Sequence, residues 1–304
     1  MWTRSLRRLA ACLLILVLFL PVPGFGWGND GHRMINRLAA SNLPSDVPKF
    51  LRMGAGLNEI EYLGPEPDRW RSHSEPELSA AQAPEHFIDF EPADALGPLA
   101  RNRLDFEAEI FAHGQRPEKI GLQPWETLEV WQRLKAAMRE YRRETAAKLD
   151  TQPVEAAILF YAGWLGHYVG DGSQPLHTTI NYDGWALKDN PKGYSTAHGI
   201  HWRFEGDFVS AAGANIQAAD VEKKMSAAQP ISGDVFDAYV AYLRRSATQV
   251  DQVYALDKAD GFDKAGTPES RTFTQERLAV GASMLRDMIY TAWLRSAEPT
   301  NDKF

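Results

Sequence analysis

HYVGDGSQPLH, residues 167–177, decides how this chain reads. It closes a run that opens at Pro153 and is nearly apolar throughout, VEAAILFYAGWLGHYVGD, residues 154–171. A helix apolar on every side is a buried helix. His167 and Asp171 stand four apart, and a helix turns once in about 3.6 residues, so both lie on one face. Burying an unpaired carboxylate is expensive. Metal ligation supplies the reason, because a divalent cation offsets the desolvation and an aspartate can bridge two cations through its two oxygens. Gly172 to Leu176 then end the helix and swing His177 back. His201 and Glu205, in HWRFE, repeat the four-residue spacing. Either pair alone equally describes a core histidine beside a surface acid. Two pairs joined by a third histidine point to a metal cluster.

Outward from this motif the strong segments read as helices. Residues 31–42, 124–149, 235–250 and 273–297 repeat apolar positions at helical spacing. Sustained alternation and internal repeats are lacking. Residues 54–105 and 178–200 are rich in Gly, Pro, Asn and Asp and read as loops. The expectation is an all-α, mostly helical single domain with long loops around the site.

The first 26 residues read as a secretory signal peptide, with a single globular domain over 27–304. Arg4, Arg7 and Arg8 precede an apolar run from Leu9 to Leu20, and Gly24 and Gly26 stand at −3 and −1 of a cut before Trp27. The competing readings are an uncleaved anchor and, more weakly, lipidation at Cys12. Cleavage removes Cys12, the chain's only cysteine, so no disulfide is available in a secreted or periplasmic product. Bound metal is another staple. What remains carries 30 basic and 40 acidic residues, a formal charge of −10. So acidic a chain does not bind phosphates by bulk charge.

HYVGDGSQPLH resembles the signature shared by zinc-dependent phospholipase C and the single-strand-specific nucleases of the S-one/P-one type. The start Trp27-Gly28-Asn29-Asp30-Gly31-His32 is similar to the mature start of the nuclease branch, and His86-Phe87-Ile88-Asp89 resembles a further ligand motif of both branches. The resemblance implies an all-helical fold holding three zinc ions. The first takes Asp68, His86, His167 and Asp171. The second takes His177, His201 and Glu205. The third takes the Trp27 amine and carbonyl, His32 and the other oxygen of Asp171. Asp68 competes with Glu66, and His198 with His201. His73 and His113 read as solvent histidines. Asp171 and Asp68 are the catalytic candidates, the latter to orient or deprotonate the attacking water.

The implied activity is phosphodiester hydrolysis. In the nuclease branch the residues matching Phe87 and Asp89 stack on a base and hydrogen-bond to it, and an aromatic face suits an unpaired base. That reading makes single-stranded nucleic acid or a nucleotide the substrate. The short Trp27–His32 spacing and the HFID segment favour it. Glu205, where the nucleases carry Asp, favours the alternative, a phospholipase C acting on phospholipid head groups. A third reading, from another class, is a zinc-binding module without turnover. No stable protein partner is implied, and the expectation is a monomer.

Overall fold

The computed structural model describes residues 27–300, so the signal peptide lies outside the described residues. Among the described residues the chain is all-α. There is no strand, only one isolated bridge between Tyr182 and Gly184. Six helices frame the site: α1 (Gly28–Ser41), α2 (Gly54–Leu63), α3 (Gln123–Ala147), α4 (Gln152–Ser173), α5 (Val235–Ala247) and α6 (Pro268–Arg295).

Helix boundaries follow local chemistry. Pro124 opens α3, where its missing N–H costs nothing. Lys148 closes it in the left-handed region at φ 57°, and the three residues to Thr151 turn the chain into α4. Thr267 and Ser270 cap α6 reciprocally: Thr267 Oγ1 accepts from the Ser270 N–H at 3.2 Å, and Ser270 Oγ from the Thr267 N–H at 3.0 Å. The stretch 235–250, expected as one helix, breaks after Ala247 and resumes as Val250–Lys258.

Residues 54–105, read as loop, are a correction. Much of this stretch folds into α2 and the short helices Glu66–Arg69, Pro76–Gln82 and Phe90–Leu96. Its Gly and Pro punctuate helices instead of excluding them. Pro76 takes the first helical position, and Gly97, at φ 114°, stops Phe90–Leu96. Residues 179–199, by contrast, carry no helix.

The centre of the molecule is α4, which packs against α1, α2, α3 and α6. Gly163, Gly166 and Gly170 lie along its face toward α1 and α2. A Cβ at Gly166 would meet Asn36 Oδ1 at 1.9 Å, one at Gly163 would meet Leu63 Cβ at 2.4 Å, and one at Gly170 would meet His32 Nδ1 at 2.9 Å. Three helical glycines cost about 3 kcal/mol in propensity against alanine. Close approach is the return. Asn36, wholly buried on α1, donates through Nδ2 to Ile60 O at 2.8 Å and Gly163 O at 3.0 Å, tying α1, α2 and α4 together. The same approach sets His32 against His167, their rings stacked with centroids 4.0 Å apart.

The end of α4 has few bare carbonyls. Trp27 Nε1 donates to Gly170 O, Tyr239 Oη to Tyr168 O, Tyr242 Oη to Val169 O and Ser246 Oγ to Gly172 O, all at 2.6–2.9 Å. Side chains from α5, together with Trp27, thus hold the turn that carries Asp171. Gly166→Ala, next to the ligand candidate His167, should lower stability by about 1–3 kcal/mol through overpacking against Asn36. A urea midpoint equal to that of the unmodified protein would show that this contact relaxes freely.

Candidate metal centre

The sequence-derived candidates come from six places in the chain and meet around α4. His32 is supplied by α1, Asp68 by Glu66–Arg69, and His86 by the end of the turn Ala83–His86. His167 and Asp171 sit on α4, His177 on the turn Pro175–Thr178, and His201 and Glu205 on the segment 200–210. That last segment is not regular. Arg203–Asp207 is a π-helical stretch between two short α turns, a local widening that often marks a functional site.

Three groups can hold a metal ion: His32, His167 and Asp171; Asp68, His86 and His167; and His177, His201 and Glu205. Asp171 is the hub. Its Oδ1 lies 3.3 Å from His32 Nε2 and 3.9 Å from His177 Nδ1, and its Oδ2 lies 3.1 Å from His86 Nδ1 and 3.3 Å from His167 Nε2. Asp68 Oδ1 is 3.7 Å from His167 Nε2 and 3.9 Å from His86 Nδ1. In the third group His201 Nε2 is 3.0 Å from Glu205 Oε2 and 3.2 Å from His177 Nε2, which is itself 3.4 Å from that carboxylate.

Outer contacts prepare these rings to be ligands. Nδ1 of His167 faces Gly64 O at 2.8 Å, Nδ1 of His177 faces His86 O at 2.7 Å, and Nδ1 of His201 faces Tyr182 O at 3.0 Å. A carbonyl takes the Nδ1–H, which leaves the Nε2 lone pair free and aimed inward, the arrangement of metal-bound histidines. Buried atoms without a hydrogen-bond partner gather at the same place: both nitrogens of His32, His86 Nε2, Asp68 Oδ1, Asp171 Oδ1 and Glu205 Oε1. A donor set of imidazoles and carboxylates with orphaned lone pairs fits divalent cations, zinc among them.

Electrostatics agree. Burial opposes ionisation of Asp171, yet His167 and His177 hold it well below the usual carboxylate range. Burial likewise opposes Glu205, but His201 and His177 bring it to about 2. His177 rises to about 9 against its burial because Asp171 and Glu205 flank it. His32 falls to about 4, through burial and then the charge of His167. Asp68 is pushed up to about 7 by burial.

The remaining candidates separate cleanly. Glu66 pairs with Arg69 in a half-exposed contact, while Asp68 is buried at the site. His198 has a solvent-exposed side chain beside Asp183, and His201 occupies the cluster. His73 and His113 are exposed. Trp27 is fully buried with a left-handed backbone at φ 32°. Its indole donates to Gly170 O and Ser173 Oγ, each at 2.8 Å, and its carbonyl accepts from the Gly31 N–H at 3.1 Å. Its nitrogen is an amine only once the bond to Gly26 is cut.

The cluster opens into a cleft of about 310 Å³ lined by His86, His177, His201, Phe87, Asp89 and Arg71, among others. Residues 87–89 run extended, so Ile88 enters the core while Phe87 and Asp89 face the cleft. Lys119, Tyr182 and Asp183 also line it and were not marked by the sequence; no motif flags them. Gln174 was missed as well. It is fully buried and donates to Glu205 Oε2 at 2.7 Å, and its signal was its place between two ligands of the opening motif.

The fold and site define an all-α protein with a buried cluster of histidines and carboxylates, able to hold metal ions, at the floor of a cleft. The S1/P1 nuclease family model matches residues 27–193, more than half of the chain, and the chain belongs to that family, one of hydrolases acting on phosphodiesters. No curated protein matches it. Among solved structures it is similar to the alpha-toxin of Clostridium perfringens from an avian strain, at 13% identity and TM-score 0.45, covering 91% of this chain and 65% of that one. It is also similar to the alpha toxin of Clostridium absonum, at 14% identity and TM-score 0.43, covering 90% and 67%. The chain thus spans about 65% of the first of these, and likenesses so distant say nothing of activity.

In metal-free protein the pairing of His177 with Asp171 and Glu205 stabilises the fold in a pH-dependent way. Its contribution is complete below about pH 6.5 and is lost as pH rises through about 9. The difference in melting temperature between chelator-treated unmodified protein and His177→Gln should therefore shrink between about pH 6 and 10, and a difference that stays constant across that range would contradict the assignment.

Proposed function

We propose that this chain is an exported zinc-dependent phosphodiesterase, a nuclease acting on single-stranded nucleic acid, whose domain runs from Trp27 to Phe304 after signal-peptide cleavage. The observation that carries the reading is the convergence of five buried or nearly buried histidines with Asp68, Asp171 and Glu205 beneath a cleft that Phe87 and Asp89 also line. Three zinc ions are assigned: to Asp68, His86, His167 and Asp171; to His177, His201 and Glu205; and to the Trp27 amine and carbonyl, His32 and Asp171. Supporting the last is the indole anchor of Trp27 on α4 and the packing of Gly28 beside the Glu205 backbone.

Bound zinc supplies a water whose pKa drops from ~15.7 toward ~7, and positive charge against the phosphate oxygens. The chain's own residues do the rest. Asp171 faces His32 with one oxygen and His86 and His167 with the other, so it holds the two flanking ligand sets in register. Asp68 Oδ1, buried and without a hydrogen-bond partner, takes the proton of the attacking water. Phe87 offers a ring for an unpaired base, and the carboxyl of Asp89, in the same lining, is the group set to meet its edge.

Glu205 favours the phospholipase C reading, since the nuclease branch carries Asp there. Two experiments test the proposal. Unmodified protein should release p-nitrophenol from bis-p-nitrophenyl phosphate and shorten single-stranded DNA and RNA, both blocked by a chelator, with phosphatidylcholine vesicles left intact; the opposite substrate pattern makes it a phospholipase, and no turnover at all a zinc-binding module. Asp171→Asn should lose bound zinc and more than about 100-fold in kcat/KM, beyond the effect of losing an outer contact. Separately, a form carrying one extra residue before Trp27 should bind less zinc and lose most of its rate, because an amide nitrogen does not ligate as a free amine does. Full zinc content and full rate in that form would remove Trp27 from the ligand set.

A further inference from the structure

One wall of the cleft is a strap, residues 117–122, laid against residues 84–89. The Leu122 N–H donates to Pro84 O at 2.6 Å, the Asp89 N–H to Ile120 O at 2.7 Å and the Gln123 N–H to Phe87 O at 3.2 Å. Ile120 and Leu122 are buried on either side of Gly121. Gly121 itself sits at φ 89°, and a Cβ there would stand 2.1 Å from the Phe87 carbonyl oxygen, so this contact admits only glycine. The strap and the segment bearing His86, Phe87 and Asp89 are therefore one rigid unit.

That unit presents Lys119, exposed, to the cleft. Glu118, Arg71 and Asp183 of the lining are each engaged. Glu118 is bound by Arg116 at 3.0 Å, and Arg71 lies 3.9 Å from Asp68. Asp183 Oδ1 accepts from the Gly199 N–H at 2.6 Å and the His201 N–H at 3.3 Å, with Oδ2 3.3 Å from His198. Among the described residues the Lys119 ammonium has neither an ion-pair nor a hydrogen-bond partner. An ammonium is a compact point charge well suited to phosphate. In a chain of net charge −7, an unengaged cation fixed beside the proposed base platform is not part of a general basic surface.

We infer that Lys119 contacts a phosphate flanking the one that is cleaved, and that it makes the cleft prefer a polyanionic strand over an isolated phosphodiester. The inference rests on the nuclease reading above. Lys119 binds substrate by charge and takes no part in bond breaking, so its loss should appear in KM and in salt dependence.

The test is steady-state cleavage of a single-stranded oligonucleotide at several salt concentrations, using zinc-loaded unmodified protein, Lys119→Ala, Lys119→Glu and Lys119→Arg. Lys119→Ala should raise KM about three- to fivefold at low salt, and Lys119→Glu more, with kcat within about twofold; the slope of log KM against log salt should fall by about 0.7, the loss of one phosphate contact on a single strand. Lys119→Arg should restore both. Hydrolysis of bis-p-nitrophenyl phosphate, which has no flanking phosphate, should not change in any variant. If unmodified protein cuts the oligonucleotide and Lys119→Glu leaves KM and slope unchanged, the inference is wrong while the nuclease reading stands. If unmodified protein cuts phosphatidylcholine vesicles and not the oligonucleotide, the nuclease reading itself fails and the inference with it.

Discussion

A carboxylate wholly removed from water, Asp171, is the constraint on which this structure turns. Leaving one such charge unpaired in a protein interior costs several kcal/mol. A domain's whole stability is only about 5–15 kcal/mol. Here Asp171, Asp68 and Glu205 are buried together with His32, His86, His167 and His177, and several of their lone pairs meet no donor. Hydrogen bonds among neutral imidazoles do not compensate such a set, since two facing ring nitrogens cannot both donate and both accept. Divalent cations would compensate it, and a site built to hold them accounts for so many polar groups aimed at one point.

The rest of the architecture serves that convergence. Glycines on α4 let α1 approach until His32 stacks on His167, and the tyrosines and serine of α5 occupy the carbonyls around Asp171. Backbone carbonyls of Gly64, His86 and Tyr182 set the tautomers of three rings. The π-helical stretch at Arg203–Asp207 turns Glu205 inward, where Gln174 holds one oxygen. These groups contribute no ligand atom, yet they determine where each ligand points, which is why a ligand list describes only half of such a site.

Charge is partitioned in the same spirit. The chain is acidic overall, so affinity for a phosphodiester must come from a few placed cations. The metal centre is one source, at the floor. Arg71 and Lys119 are the basic side chains of the cleft lining, and both adjoin the segment bearing Phe87 and Asp89. An aromatic ring, an acceptor and fixed positive charge within one cleft make a recognition surface without a basic face.

Much of this was legible in the sequence. Helical periodicity put His167 with Asp171, because the turn of a helix is set by the backbone alone, whereas His201 and Glu205, spaced alike, meet across a π-helical widening that the spacing did not show. Apolar composition marked α4 as buried, and the ordered motifs carried the family and its ligand candidates. Pattern could not choose Asp68 over Glu66 or His201 over His198, since each pair has the same local chemistry and differs only in which member the packing buries. Nor could it foresee that Gly and Pro in 54–105 would end helices and not exclude them, that Gln174 would brace Glu205, or that Lys119 would reach the cleft. Those outcomes depend on contacts between residues far apart in the chain, and long-range packing is what a local reading of sequence does not contain.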